Sequence, residues 1–305
     1  YSQVGPKGSD RYFKYLEPQK DVVTKKNYDK AIRQVRKHCG VEYPSQITTE
    51  MLLKWRNNVI DTKVKPVTWN SYIRHLKSIY KFGIEQKLLN YEENPCNKLF
   101  LRVGRPKRKV LTSVQLDKLD FFLSCSEGFP DVLKPQWFIR VLVNTLRFTG
   151  IRRAQLLRLK IKDIDLYQKV IHISPDINKN HEYHCIPILD RLHPYIEKLI
   201  IELRKRHQNL DSQLFNINLF RKTRYTGQIM TEFQISHLFR VISSRVGFQV
   251  SPHRFRHTVA TSLMKDPENL YVAKQLLGHK DVRVTLSYIE NDVEMLREKV
   301  NSTLL

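Results

Sequence analysis

The chain has 305 residues, and its 53 Lys and Arg residues against 30 Asp and Glu residues give a formal charge of +23 at pH 7. This length suggests about two domains. The 41% apolar and 10% aromatic residues are typical of a folded protein and exclude a disordered one. No apolar run approaches the roughly 20 residues that span a bilayer, which excludes a membrane-spanning chain. The charge indicates a polyanionic partner, with nucleic acid as the first candidate and a merely basic soluble protein as the alternative.

The cysteines indicate neither a metal ribbon nor a disulfide framework. They lie far apart and include no CxxC pair, so a reducing compartment such as the cytoplasm is the expected setting. They are Cys39, Cys96, Cys125 and Cys185.

Residues 21–100 are predicted to form a helical domain. Helices are expected to begin at Thr24, at Thr48 or Thr49, and at Thr68, because each threonine can cap the apolar pattern that follows it. The basic residues 1–20 before this domain are either the remnant of an additional DNA-binding arm or a frayed end.

The helix predicted from Thr68 has one apolar and one basic face. Arg74, Lys77 and Lys81 follow each other at spacings of three and four, which places them on the same side. A solvated helix surface is the simpler interpretation. Residues 1–110, however, hold 24 Lys and Arg against 10 Asp and Glu, so we favour a surface that follows a phosphate backbone.

A basic linker is predicted over residues 101–111. Its sequence contains Gly104 and Pro106, which do not continue a helix, so the stretch is expected to be exposed. Contact with DNA phosphates is expected from three of its side chains, and a nuclear-localisation signal is the alternative. The three are Arg105, Lys107 and Arg108.

Residues 112–290 are predicted to combine helices with a small antiparallel sheet. Two short strands joined by a polar turn are expected over Val170–Ile173 and Cys185–Ile188. Helix boundaries are indicated by capping side chains, by proline at a first helical position and by glycine after a last one. These residues are Thr112 with Gln115, Gly150, Asp190, Thr231, and Ser251 with Pro252. The predicted fold class is mainly α with a small antiparallel β-sheet (α+β).

Several common chemistries lack their sequence signatures. There is no GxxxxGK[ST] phosphate loop, no GxSxG elbow and no HExxH zinc helix. No cluster of carboxylates suggests the magnesium site of a two-metal nuclease. We therefore expect no metal and no other cofactor.

A series of basic and polar residues in the second domain remains. Arg152 follows a glycine, His253 and Arg256 lie three apart at a helix start, and His279 and Tyr288 follow within 32 residues of Arg256. A helix N-terminus adds partial positive charge beneath the His253–Arg256 pair, which predicts that the two converge on one anion. Each feature alone is weak, because an HxxR pair is more often a surface ion pair and a single tyrosine more often belongs to a core.

In their order, these motifs resemble those of the tyrosine recombinases, also called the lambda-integrase family. The matching stretches are residues 149–159, 253–261 and 277–288, and the resemblance extends over roughly residues 20–300. It implies a helical DNA-binding domain before the linker and a catalytic domain after it. Position by position, it assigns catalytic roles to Arg152, Lys179, His253, Arg256, His279 and Tyr288, where Lys179 is placed by standing eight residues before Pro187.

The chain departs from the family pattern at one position. Glu commonly follows the first arginine by three residues, and here the residue is Gln155. We expect it to support Arg152 rather than react, so that the exchange tunes activity without abolishing it.

The resemblance implies that the Tyr288 hydroxyl cleaves DNA, leaving a 3′-phosphotyrosyl link and a free 5′-hydroxyl. The covalent link stores the phosphodiester energy, so rejoining needs no ATP. Arg152 and Arg256, with a donor from His279, are expected to stabilise the charge of the phosphorane in place of metal ions.

Proton transfers are assigned to two further residues. A tyrosine hydroxyl has a pKa of about 10 and needs a proton acceptor, for which His253 is expected. Lys179, on the turn between the two strands, is expected to protonate the departing 5′-oxygen.

The expected partner is double-stranded DNA with specific recombination sites. The resemblance implies a homo-tetramer in the synaptic complex, a Holliday junction, a monomer when free, and accessory DNA-bending or directionality proteins. Residues 291–305 carry an apolar helical pattern that either packs on its own domain or docks on a neighbouring protomer. A type IB topoisomerase and a non-catalytic DNA-binding regulator are the alternatives, and the expected location is the cytoplasm of a bacterium, as a chromosomal, phage or mobile-element protein.

Overall fold

The computed structural model describes residues 22–60, 63–104, 109–125, 127–178, 182–221 and 229–289. The chain divides into two compact units, Tyr1–Pro106 and Lys107–Leu305, so the division lies in the basic stretch 101–111. Several predicted features lie outside the described residues, namely Lys179, Arg105, Lys107, Arg108, and the two tails over 1–20 and 291–305.

The first unit is helical in its described part. Its helices are α1 (Val22–Cys39), α2 (Thr49–Val59) and α3 (Pro66–Glu85), with a 3-10 turn over Pro44–Gln46. Trp55 and Trp69 meet edge to face with ring centroids 4.9 Å apart, and the Trp69 indole donates to the Leu99 carbonyl at 2.9 Å. These contacts centre the core where the three helices meet, as the apolar spacing predicts.

The predicted helix starts in this unit are correct at one of three positions. Thr48 caps α2 by accepting from the Met51 amide at 3.2 Å, as predicted. The predictions at Thr24 and Thr68 are wrong, since α1 already contains Thr24 and α3 begins at Pro66. For α3 the reason is Pro66. A proline at the first helical position gives up no intrahelical hydrogen bond and has a preset φ, so the helix begins there and not at Thr68.

The second unit is mainly helical with one small sheet. Its described elements are α4 (Ser113–Ser124), α5 (Gln136–Thr149), α6 (Arg153–Arg158), β1 (Ile164–Asp165), β2 (Val170–Ile173), β3 (His184–Pro187), α7 (His193–Arg204), α8 (Glu232–Val246), α9 (Pro252–Leu263), α10 (Leu270–Leu277) and α11 (Val282–Leu286). Short 3-10 turns cover Asp131–Leu133, Ile161–Asp163, Ile217–Leu219 and Pro267–Asn269. This composition confirms the predicted fold class.

The sheet is antiparallel in the order β1-β2-β3. Ile171 pairs with Ile186 on the buried face, and His172 pairs with Cys185 on the opposite face. The two predicted strands are therefore confirmed, whereas the two-residue β1 is too short to have a recognisable alternation.

Capping side chains mark four of the eight described helix starts in the second unit. Thr112 and Gln115 form the predicted capping box, and Thr231 and Ser251 cap α8 and α9. The prediction at Asp190 is wrong, because α7 begins at His193 with a proline in its first turn. Among the described residues, no helix has the length and apolar character to cross a membrane.

Candidate active site

Five of the six predicted catalytic residues lie in the described part of the second unit, where four chain segments carry them. Helix α5 ends at Gly150, whose φ of 61° reverses the chain so that Arg152 becomes the N-cap of α6. Helix α10 ends at Gly278 with a φ of 59°, and His279 follows. Helix α9 carries His253 and Arg256 in its first turns, and Tyr288 follows the end of α11.

Arg256 is buried and held by several acceptors. Its Nη1 donates to the Gly150 carbonyl at 2.9 Å, and its Nη2 donates to the Leu277 carbonyl at 2.7 Å. Nη2 also lies 2.8 Å from Nε2 of His279, and the guanidinium forms a hydrogen bond with the Tyr288 side chain. Arg256 therefore links the ends of α5 and α10 to Tyr288.

Arg152 is less fully bonded. Its Nη2 donates to the Gly278 carbonyl at 3.2 Å, whereas its buried Nη1 has no hydrogen-bond partner within the described part of the chain. A buried donor without a partner is unfavourable unless a ligand completes it. The geometry therefore leaves a guanidinium donor for an acceptor from outside the described residues.

The two arginines make a desolvated positive site. Burial lowers the pKa of Arg256 to about 10, with the Arg152 charge as the next cause, and burial also lowers the pKa of Arg152. Both remain charged at neutral pH. Among the described residues neither has a carboxylate partner, so an anion is the ligand that this arrangement can bind.

His279 takes a role that the sequence does not predict. Because Arg256 can only donate, His279 Nε2 is the acceptor, and its Nδ1 carries the proton that goes to the Thr285 hydroxyl at 2.9 Å. In this arrangement neither ring nitrogen offers the donor that the resemblance assigns to a phosphate. His279 instead orients Arg256.

Tyr288 is only 4% exposed. It packs with Ala260, Met264, Ala273 and Leu277, so that α9 and α10 form its surroundings. The His279 ring lies nearly parallel to it, at 10° with centroids 5.9 Å apart, and the His257 ring lies 5.4 Å away. These contacts place Tyr288 beside Arg256 at the centre of the candidate site.

His253 is exposed and lies in the first turn of α9. Its Nε2 lies 2.7 Å from Nε2 of His257, one turn further along α9, so the two rings share a hydrogen bond. The convergence of His253 and Arg256 on one anion stays a prediction, with the first side chain exposed and the second buried. His257, which sequence reasoning missed, is signalled by its i,i+4 spacing from His253.

His184 on β3 is a second missed residue. Its Nε2 donates to the Leu276 carbonyl at 3.2 Å. Burial lowers the pKa of His184, the bond to Leu276 opposes this, and the charges of Arg152 and Arg256 add to the lowering. It is therefore a neutral neighbour of the arginine pair at pH 7, and no sequence motif marks it.

Gln155 contacts the backbone of Arg152 rather than its guanidinium. Its side-chain oxygen accepts from the Arg152 amide at 3.2 Å, and its nitrogen donates to the Asn178 oxygen at 3.4 Å. Both side chains are 3% exposed.

The predicted DNA-binding residues of the first unit lie on the outer side of α3. Arg74 and Lys81 are exposed and Lys77 is half-buried, opposite the buried stripe of this helix. Lys81 makes a loose pair with Glu85 at 3.7 Å.

Comparison with known proteins gives three findings. Residues 122–295 match the model of the phage integrase family. A protein that carries the name tyrosine recombinase XerC in Pseudomonas aeruginosa is 32% identical over 289 residues, 92% of this chain and 67% of the relative. A protein so named in Pseudomonas syringae is 31% identical over 84% of this chain and 55% of the relative, so the chain spans only part of both.

A solved structure gives the same fold over nearly the whole length. The integrase of transposon Tn1549, residues 82–397 in complex with a circular intermediate DNA, superposes with a TM-score of 0.70 at 16% identity. The match covers 97% of this chain and 99% of that one.

Proposed function

Because this chain belongs to the phage integrase family and is a tyrosine recombinase, we propose that Tyr288 is its nucleophile and that Arg152 and Arg256 bind the scissile phosphate. The observation that carries this proposal is the pair of buried Arg256 and half-buried Arg152 beside Tyr288, in which the buried Nη1 of Arg152 has no hydrogen-bond partner among the described residues.

In the proposed reaction, the Tyr288 oxygen forms a bond to the phosphorus and the bond to the 5′-oxygen breaks. The product is a 3′-phosphotyrosyl link, and attack by a 5′-hydroxyl on that link reverses the step without ATP. The two guanidiniums attract the negative charge that gathers on the non-bridging oxygens, a role that metal ions have in other phosphoryl transfers. Their fixed acceptors at Gly150, Leu277 and Gly278 hold them in place before DNA binds.

Two proton transfers accompany this exchange. We assign the tyrosine proton to His253, in its hydrogen bond with His257, and the proton for the 5′-oxygen to Lys179. A DNA with a 5′-bridging phosphorothiolate tests Lys179, because a thiolate leaves without an acid. Lys179→Ala should be inactive on ordinary DNA and active on this substrate, and inactivity on both contradicts the assignment.

The assembly that we propose is a tetramer on two DNA duplexes, with a Holliday junction as intermediate. We place the tail 291–305 of one protomer on an apolar groove of a second copy, since its apolar positions follow a helical spacing. The groove has a volume of about 660 Å³ and is lined mainly by Leu116, Phe148, Val259, Leu263, Val272 and Leu276. Deletion of residues 293–305 should spare binding to a single site and weaken synapsis, and unchanged synapsis contradicts this placement.

Strand exchange tests the proposed function as a whole. Two duplexes with different labels, each carrying a site found by footprinting, should yield recombinant strands and a covalent adduct. Relaxation of supercoils without exchange indicates a type IB topoisomerase, and binding without any adduct indicates a regulator. Either result contradicts the proposal.

A further inference from the structure

The connection between β2 and β3 is closed at its base by one buried side chain. Asn178 ends a turn in which its amide donates to the Ser174 carbonyl at 3.0 Å. Its Nδ2 donates to the Glu182 carbonyl at 2.7 Å, across the segment 179–181. Asn178 thus joins the two ends of the segment whose first residue is Lys179.

Gln155 continues this contact to the start of α6. The Arg152 amide donates to the Gln155 oxygen at 3.2 Å, and the Gln155 nitrogen donates to the Asn178 oxygen at 3.4 Å. The series of donors therefore runs in one direction, from the Arg152 backbone through both amides to the Glu182 carbonyl. Each amide uses its oxygen as an acceptor and its nitrogen as a donor.

This arrangement needs neutral amides at both positions. A carboxylate at 155 would face the Asn178 oxygen with a second oxygen and no proton between them. Rotating the Asn178 amide to donate to that carboxylate would turn its oxygen toward the Glu182 carbonyl. Because both side chains are buried, water does not relieve the mismatch. Gln155, in place of the common Glu, is therefore matched to Asn178.

We propose that Gln155 and Asn178 are positioning residues, which tie Asn178 and Glu182, the residues on either side of 179–181, to the start of α6 that carries Arg152. The proposal rests on the proposed function, in which Lys179 is the acid for the 5′-oxygen. In the proposed function, Arg152 and Lys179 act on the same phosphodiester. A change in the distance between their segments should therefore slow protonation of the 5′-oxygen.

The test compares two substrates in single-turnover cleavage, an ordinary DNA and a 5′-bridging phosphorothiolate. Gln155→Glu and Asn178→Ala should lower cleavage of ordinary DNA by about 10- to 100-fold, the size expected for a misplaced group. On the phosphorothiolate, both variants should return toward the wild-type rate.

Gln155→Met, which removes the hydrogen bonds but keeps the side-chain length, replaces Gln155→Glu if that variant does not fold. Gln168→Glu and Asn209→Asp, on exposed loops, are the matched controls and should cleave both substrates normally.

Two results overturn the inference. Equal losses on both substrates show a general packing role, and unchanged cleavage of ordinary DNA shows no role. Lys179→Ala is measured beside them to separate this inference from the proposed function. If Lys179→Ala recovers on the phosphorothiolate and Asn178→Ala does not, only the positioning role fails; if Lys179→Ala does not recover, the acid assignment itself fails.

Discussion

Thr285 supplies the acceptor for the tautomer of His279 that Arg256 requires. Its buried hydroxyl accepts from Nδ1, which leaves Nε2 as the acceptor for Arg256. Thr285→Val removes that acceptor and leaves a buried donor without a partner, so the unfolding free energy should fall by about 1 to 3 kcal/mol. Cleavage should fall as well, because the other tautomer repels Arg256.

Thr285→Ser is the matched variant, since it keeps the hydroxyl and loses only a methyl group. It should retain cleavage, and denaturant unfolding with a single-turnover assay measures both effects. Equal cleavage by the Val and Ser variants would show that the tautomer of His279 is unimportant.

His184 predicts how stability depends on pH. Burial lowers its pKa below the ordinary value of 6.5, so between the two values the unfolded chain binds more protons than the folded one. Its contribution is therefore complete above pH 6.5 and is lost as the pH falls through the lower, folded-state pKa. Unfolding free energies at about pH 7.5 and about pH 5.5 should differ less for His184→Gln than for the wild type. An equal or larger difference contradicts the prediction.

At the scale of residues, the sequence predicts candidate reactive groups but not their hydrogen-bond partners. Arg152, Arg256 and Tyr288 could be named from motif order. The acceptors of Arg256 could not, because they are backbone carbonyls that any residue can supply, and one of them lies 106 positions away. The hydrogen bond between His279 and Arg256 could not be foreseen either, because the two residues are 23 positions apart.

At the scale of elements, two helices end on glycines whose own carbonyls hold the arginines. Gly150 accepts from Arg256 and Gly278 from Arg152. Both glycines have positive φ, which a residue with a Cβ adopts at a cost. The ends of α5 and α10 therefore form part of the site.

Gly278→Ala tests this use of a helix end. A left-handed alanine costs about 1 to 2 kcal/mol, and its Cβ would lie 3.3 Å from the His184 ring. Stability should fall by about that cost, and cleavage should fall about tenfold, because the carbonyl that holds Arg152 shifts. Thermal unfolding and single-turnover cleavage measure the two effects.

Gly247→Ala is the control for this experiment. Gly247 ends α8 with a φ of 78° and open space around its Cβ position, so the backbone strain is similar but no site residue is near. It should lose stability and keep cleavage. Normal cleavage by Gly278→Ala would refute the role of the helix end.

Element boundaries show where sequence reasoning works. Capping side chains act within three residues, so Thr48, Thr112, Thr231 and Ser251 could be recognised locally. The errors at Thr68 and Asp190 came from prolines in the first turn, which begin a helix without a capping side chain. Strand β1 exists only through its pairing with β2, which the local sequence does not encode.

At the scale of the whole molecule, the charge of +23 predicts binding that depends strongly on salt. Lys77→Ala and Lys81→Ala, on the outer side of α3, should each weaken DNA binding equally for all sequences. Each should also reduce the slope of log affinity against log salt by about 0.9, the value for one lost phosphate contact. Fluorescence anisotropy at several salt concentrations measures the slope.

Lys54→Ala on α2 makes the same change in net charge from another helix. If it reduces the slope as much as the α3 variants do, the effect belongs to the overall charge and not to the α3 surface. A slope that none of the variants alters contradicts the assignment of Lys77 and Lys81.

The direct test of the central claim is to locate the covalent bond to DNA. The chain is mixed with a nicked duplex that carries its site and traps the intermediate, then digested and examined by mass spectrometry. The peptide containing Tyr288 should carry a nucleotide through its 3′-phosphate, Tyr288→Phe should form no adduct, and Tyr167→Phe, at a 96% exposed residue, should behave as wild type. An adduct on any other residue, or one that persists in Tyr288→Phe, would show that Tyr288 is not the nucleophile.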